Sequence, residues 1–389
     1  MPRIYKKSWD VFVVGGGPAG LATAIAARRH GLSVVVADGA IPPIDKSCGE
    51  GLMPDGVKAL EVLDISIPER QGYPFRGIRF LNDGAVAEAA FPRGMACGIR
   101  RTHLHSAMVE HAVACGVRTL WQAAVTGLHP EGVMVAGEPV RARWVVGADG
   151  TSSRVRQWAK LNPPELRAEK NTEENNEKIN EKNKKLRFAF RRHYRVAPWT
   201  DCMELHWGAE CQVYVTPVSK EEVCVALISY DSKLRLEKAL TEFPQLCSHL
   251  DKAEYTSTER GAITVTRRLR RVYRGRTALI GDASGGVDAI TGEGLCLTFR
   301  QAALLGECLA TRDLARYQRG HQALGRRPAL MSHLMLFMAK HPHLRRRAMQ
   351  MFEANPAAFA GMLALHVGEG STRSHLSRGL AMGWQLLRA

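Results

Sequence analysis

Residues 10–15 form a short apolar run that ends in glycines, and residues 19–30 carry apolar side chains at helical spacing. Residues 33–37, "SVVVA", follow as a continuous apolar strand. A strand that is apolar on both faces belongs in a covered parallel sheet, so 10–37 reads as a strand–helix–strand unit. The stretch 102–115 predicts a helix capped by Thr102. "RWVVGADG" (143–150) and "TALIGDASG" (277–285) predict two more buried strands of the same sheet, each ending in a tight turn. Between 186 and 230 the period changes to two: "RFAFRRHYRVA", "CMELHWG", "CQVYVTPV" and "EVCVALIS" predict antiparallel strands of a second sheet. Residues 300–389 read as mostly helical, with a Met- and Leu-rich stretch, "ALMSHLMLFMA". "NTEENNEKINEKNKK" (171–185) has almost nothing to bury and reads as a solvated helix or connector without chemistry.

The bulk properties narrow the class. A chain of 389 residues exceeds one ordinary core, so two or three substructures are expected. Its 45% hydrophobic and 24% charged residues suit a soluble globular protein, and no apolar run approaches the ~18–20 residues of a membrane-spanning helix. The first dozen residues run polar and basic into a strand, without an apolar targeting segment. Nine scattered cysteines without a C-x-x-C pair fit a reducing cytoplasm, the expected location. The net charge of +16 has no zinc-finger spacing, basic zipper or aromatic-basic run beside it, so nucleic acid is not the expected partner. Solvated arginine, an anionic lipid surface or an anionic small molecule remain as explanations.

The chemistry starts in "DVFVVGGGPAGLATAIAARRHGLSVVVAD". Gly15-x-Gly17-Pro18-Ala19-Gly20 sits between a strand and a helix, and Asp38 ends the next strand about 20 residues on, as in a dinucleotide-binding unit. Gly15 permits the tight turn, Gly17 lets backbone N–H groups approach a pyrophosphate, and Gly20 allows close helix–strand packing. Asp38 is placed to accept from ribose hydroxyls. Two further glycine-rich strand ends favour FAD over NAD: Asp149-Gly150, and Gly281-Asp282 followed by Gly292-Glu293-Gly294-Leu295 opening a helix. These are stations for an extended flavin dinucleotide, and a helix N-terminus at the last one would stabilise negative charge on a reduced flavin.

With those three motifs in order over residues 10–300, the chain resembles the flavoprotein superfamily of para-hydroxybenzoate hydroxylase, the geranylgeranyl reductases and the flavin-dependent halogenases. The resemblance implies an α/β fold: a Rossmann-type FAD-binding domain (1–75, 95–165 and 272–310) interleaved with a β-sheet substrate domain (76–94 and 186–271). A polar linker (166–185) and a C-terminal helical region (311–389) complete it. It also assigns Arg101, in "IRRTHLHSAM", to the FAD site. Two motifs point to the geranylgeranyl-reductase-like branch: Lys46-Ser47-Cys48-Gly49-Glu50-Gly51-Leu52, and the G-E-G-L at 292–295. By that resemblance Lys46, Cys48 and Gly49 lie against the flavin. The branch's aromatic Y-x-W-x-F-P strand is matched only by Tyr214 and Pro217, and the halogenases' W-x-W-x-I-P is absent.

The implied activity is FAD-dependent oxidoreduction of a hydrophobic small molecule, with C=C reduction ahead of monooxygenation or halogenation. A non-catalytic flavoprotein with a basic partner- or membrane-binding face is the rival from another class. Cys48, Glu50 and Tyr214 are the candidate catalytic residues. Cys48 is a proton donor or a ring neighbour whose pKa a nearby Lys46 would lower. Glu50 is a proton relay and Tyr214 a cavity wall or general acid. His193 and His206 read as sheet histidines, and no metal site is expected. No second strand–G-x-G-x-x-G–helix unit exists, so NAD(P)H would bind transiently or an external donor would supply electrons. The Met/Leu run near 330–338, followed by "HPHLRRRAMQMF", reads as core, with peripheral membrane contact as the alternative.

Overall fold

The apolar strands join as their burial on both faces requires. In the computed structural model, which describes residues 8–162 and 186–369, Thr277–Leu279, Glu138–Gly147, Trp9–Val14, Val34–Ala37 and Arg118–Leu120 lie side by side in parallel. Helix Pro18–Arg29 and helix Gly294–Ala310 pack against each other on this sheet, and Phe12, Leu21, Ile25, Phe299 and Leu305 are fully buried between the layers. The residues of the 171–185 segment lie outside the described ones.

The second sheet runs Glu254–Tyr255, Arg187–Arg195, Glu222–Ser229, Cys211–Ser219, Cys202–Trp207, Gly77–Asn82, Ala85–Ala90. The strands expected between 186 and 230 pair antiparallel with one another, and the sheet adds one parallel pair, Cys202–Trp207 with Gly77–Asn82. A period of two reports which face is buried and says nothing about a neighbour's direction. A third, small sheet of Gly51–Leu52, Ala96–Ile99 and Gly72–Phe75 carries segments expected in the dinucleotide-binding region. It packs onto the second sheet so closely that a Cβ at Gly98 would lie 1.8 Å from the Pro217 carbonyl oxygen.

Helices Leu314–Lys340, Pro342–Ala354 and Pro356–His366 close over one face of the second sheet. Met331, Met335, Met338, Phe352 and Phe359 join Phe80, Met203 and Leu205 in that layer. Helix Leu236–Leu240 and helix Pro244–Leu250 cover the other face. Among the described residues, no helix is long and apolar enough to cross a membrane.

The 102–115 expectation is corrected. The helix spans Arg101–Ala114, its N-cap position is Arg100, and no side chain of that position caps it. Thr102 lies inside the first turn. The Arg101 N–H instead donates to Glu50 Oε1 at 2.9 Å, so the cap comes from 51 residues away.

Gly306 faces Ala26 where the two sheet-covering helices cross, and an added Cβ would lie 2.6 Å from the Ala26 Cβ. Gly306→Ala should lower stability by about 1–3 kcal/mol through overpacking. Alanine's helix propensity, worth about 1 kcal/mol in its favour, offsets only part of this. Chemical denaturation of both proteins checks the sign.

Candidate functional site

The first glycine turn separates two kinds of glycine. A Cβ at Gly15 would lie 2.4 Å from the Ala148 carbonyl oxygen, and one at Gly20 would lie 1.8 Å from that of Gly15. Chain packing alone requires those two. A Cβ at Gly17 would meet nothing nearer than Arg101 Nη2 at 3.9 Å, and one at Gly49 or Gly294 would meet nothing within 4 Å. Packing gives no reason for these three, whereas a ligand laid against the backbone does. Helix Pro18–Arg29 begins here with Pro18 in its first turn and no side-chain cap, which leaves backbone N–H groups for an anion.

Asp38 accepts from the backbone N–H of Gly16 at 2.7 Å and of Ala40 at 2.8 Å, so its carboxylate also shapes the turn. His105, which sequence reasoning missed, holds the turn from behind. The Ile44 N–H donates to its Nδ1 at 3.3 Å, which puts the ring proton on Nε2, facing the Gly16 carbonyl at 2.9 Å. Arg101 is 8% exposed, burial lowers its pKa, and its Nε has no hydrogen-bond partner. A buried, unpaired guanidinium N–H beside an open glycine and a bare helix N-terminus suits a pyrophosphate.

The other two stations are tied to each other. Asp149 Oδ1 accepts from the Ser153 hydroxyl at 2.5 Å, and Oδ2 from the N–H groups of Arg154 and Val155 at 2.7 and 3.1 Å. Its carboxylate thus starts the helix Arg154–Trp158, and Gly150 beside it takes a positive φ of 79°. Arg156, also missed, donates to the carbonyls of Ala283 at 3.0 Å and Thr151 at 2.8 Å and so clamps the second strand end to the third. Burial brings its pKa down to about 10. Gly281 takes a φ of 57°, with its missing Cβ 2.9 Å from that of Ala19. Asp282 accepts from Lys46 at 3.0 Å and from the Thr151 hydroxyl at 3.2 Å. Enclosure by protein pushes the Asp282 pKa up, but Lys46 and its hydrogen bonds outweigh this and hold it below the usual value.

The turn 44–54 meets both sheets. Glu50 sits at a left-handed φ of 59° and is 2% exposed. Its Oε1 caps helix Arg101–Ala114, and its Oε2 lies 2.6 Å from His193 Nε2 of the second sheet. Arg191 Nη1 faces His193 Nδ1 at 3.1 Å, and an arginine is always the donor, so the ring proton sits on Nε2 and points at Glu50. The Cys224 sulfur joins Glu50 and His193 within 4.8 Å. A cation there would face Arg191 Nε, 3.7 Å from Glu50 Oε1, and burial pushes the Cys224 thiol well up, into the form that does not ligate.

The sequence expectation for the Cys48 thiol is overturned. Lys46 turns to Asp282, and burial, reinforced by Glu50, pushes the Cys48 pKa up although Arg101 opposes it. The Tyr214 hydroxyl donates to the Ile290 carbonyl at 2.5 Å, and burial raises its pKa, so it ties the sheet to the loop before Gly292 rather than standing free as an acid. Arg187 and Asp288, a fully buried ion pair at 2.6 Å, make a second tie to the same loop.

Above that loop lies an apolar cavity. Ile78, Phe80, Met203, Leu205 and Tyr214 line it from the second sheet, Ile290 and Thr291 from the loop, and Met331, Met335, Phe359, Met362, Leu363 and His366 from the closing helices. Side chains nearly fill it, leaving about 30 Å³ of free volume, so a substrate would have to displace the flexible methionines that line it. A Cβ at Gly51 would lie 3.2 Å from Met203 Sδ, so the turn that carries Cys48 and Glu50 borders this cavity. The Glu293 carboxylate turns toward Arg327 and His366, and Leu295 packs on the core of the parallel sheet, so a cofactor at this helix start would meet their backbone.

Residues 8–313 match the family model described as FAD binding domain. The chain belongs to that family. It is 28% identical over 337 residues to menaquinone reductase of Mycobacterium tuberculosis, covering 79% of this chain and 78% of that one. It is 24% identical over 329 residues to digeranylgeranylglycerophospholipid reductase 1 of Methanothermobacter thermautotrophicus, covering 77% of each. Its fold matches the flavin-dependent brominase Bmp2 with a TM-score of 0.75 at 17% identity, over 93% of this chain and 94% of that one. The chain is an FAD-dependent oxidoreductase, and the residues around Gly17 and Arg101 fit that cofactor.

Arg101→Met keeps the side chain's bulk and removes the charge. It should weaken FAD binding about 10- to 100-fold, the range for charged hydrogen bonds, with little change in fold. Fluorescence titration of flavin-stripped protein measures it.

Proposed function

We propose that this oxidoreductase reduces carbon–carbon double bonds in a hydrophobic, prenyl-like molecule. The carrying observation is the apolar cavity at the junction of the glycine loop, the Cys48–Glu50 turn and the second sheet. Its walls offer methionine, aromatic and branched side chains, which grip a flexible hydrocarbon by contact area and shape. The two reductases resembling the chain along most of its length support the same reading. FAD, when bound, supplies hydride. The chain's part is to hold the dinucleotide through Arg101 and the bare helix end, to place the hydrocarbon, and to exclude water. Electrons arrive from NAD(P)H docking transiently or from an external donor.

The outer face of the closing helix bears on how such a molecule reaches the cavity. Met331, Met335 and Met338 face inward, while Leu330 and Phe337 are 59% and 49% exposed on the same helix and Leu344 is 40% exposed on the next. From 314 to 352 the sequence has eight Lys or Arg and no Asp or Glu. Arg316, Arg327 and Arg346 are paired with carboxylates and Arg345 is buried, which leaves Lys340 and Arg347 among the exposed cations near the ridge. An apolar ridge flanked by such cations suits the surface of an anionic bilayer, the proposed source of the substrate.

Two experiments test this. Dithionite-reduced holoenzyme, kept anaerobic with a geranylgeranyl compound, should add two hydrogens per double bond by mass spectrometry. Product that forms only when oxygen is admitted would instead make it a monooxygenase. In co-sedimentation, phosphatidylglycerol-containing vesicles should bind the protein better than phosphatidylcholine alone, and Lys340→Glu with Arg347→Glu should weaken that binding about tenfold.

A further inference from the structure

Behind the glycine loop, two carboxylates converge on one guanidinium. Arg327 Nη2 lies 2.8 Å from Asp55 Oδ2 and 3.2 Å from Glu293 Oε1. Arg300 reaches only Asp55, at 3.6 Å. Asp55 keeps some exposure, with 16% of its side chain accessible, whereas that of Glu293 is at 2%. Glu293 Oε2 has no hydrogen-bond partner, and the nearest polar group is His366 Nδ1 at 3.5 Å. Asp55 has Arg300 as well as a share of Arg327, whereas Glu293 has only its share of Arg327, so the more buried Glu293 with its bare oxygen is the one to hold a proton. His366 is also a wall of the apolar cavity, where Thr291 lines it too.

We propose that Glu293 is the cavity's proton reservoir and that His366 delivers the proton to the substrate. The inference rests on the reductase reading. In the reaction, the π pair of the alkene would form a C–H bond with the proton from the His366 ring, and the other carbon would take the hydride that FAD supplies when bound. His366 takes up the Glu293 proton at Nδ1. Glu293 is left as a carboxylate beside Arg327 and regains a proton from solvent. The two electrons the alkene gains would come from that cofactor.

The electrostatics agree with the geometry. Burial, reinforced by Asp55, raises the Glu293 pKa to about 7 against the pull of Arg327 and Arg300. Burial lowers that of His366 to about 4. The shared proton therefore prefers the acid to the ring, and Glu293 loses it to solvent as the pH rises through about 7. The Cys296 thiol, also close, is pushed up by burial and stays neutral.

Infrared spectroscopy of the holoenzyme tests the reservoir without turnover. A protonated-carboxyl C=O band should titrate away with a midpoint near pH 7, be missing in Glu293→Gln, and move to lower pH in Asp55→Asn, where a repelling charge is gone. Its absence from the wild type, or its persistence in Glu293→Gln, overturns the reservoir. For delivery, His366→Phe should keep FAD and the band yet slow alkene reduction about 100-fold or more, while leaving the step that reduces the flavin. Unchanged turnover in both Glu293→Gln and His366→Phe overturns the relay while leaving the reductase reading intact. If the wild type reduces no alkene under anaerobic conditions, the reductase reading and the delivery step that rests on it fail together, and the band alone then decides whether Glu293 holds a proton.

Discussion

One buried carboxylate holds the two halves of this protein in register. Glu50 caps the helix that carries Arg101 and, through its other oxygen, meets His193 on the second sheet. Its backbone accepts a left-handed φ to do so, a conformation that costs a non-glycine residue about 1–3 kcal/mol. Removing the carboxylate would leave the Arg101 N–H and His193 without their shared acceptor and Arg191 with Asp45 as its carboxylate partner, and breaking a buried pair costs about 3–5 kcal/mol. The balance explains why a strained residue persists there. It also fixes Cys48, two residues earlier, and Gly51, one residue later, between the dinucleotide turn and the cavity.

From that constraint the other contacts between the halves follow a common plan. Polar ties run along the seam: Arg187 to Asp288, Tyr214 to the Ile290 carbonyl, and Thr216 to the Gly49 carbonyl. Each joins the second sheet to a loop that belongs to the glycine motifs. The sheet face turned to the closing helices is left apolar. A seam of hydrogen bonds sets orientation, and the apolar face beside it leaves room for a ligand that forms few hydrogen bonds of its own.

The parts of this arrangement legible in the sequence were those encoded by contiguous residues. Gly15 and Gly20 report close backbone approach within one turn, and continuous Val runs report strands covered on both faces. The parts that were not legible depend on residues far apart. Nothing near position 50 announces His193, 143 residues away. Thr102 looked like a cap because local spacing allowed it, while the acceptor came from another segment. Lys46 and Cys48 are near in sequence, yet the lysine is drawn to Asp282 by its charge. The Met/Leu run is apolar on two faces, so its periodicity could not say that the methionines face the cavity and Leu330 and Phe337 face solvent.

The same scaffold serves a brominase, so fold alone does not choose the chemistry. What distinguishes sites on it is what borders the substrate. Here the catalytic candidates nearest the glycine motifs, Cys48 and Tyr214, are both held in their neutral forms by burial, and Tyr214 is already bonded to a carbonyl. Neither is a ready source of protons. At the cavity's other wall stands His366, and next to it Asp55 and Glu293 share Arg327. A carboxyl made reluctant to ionise by a second carboxyl keeps a proton in an apolar place without keeping a charge there. That is what the proposed addition of hydrogen to a hydrocarbon needs.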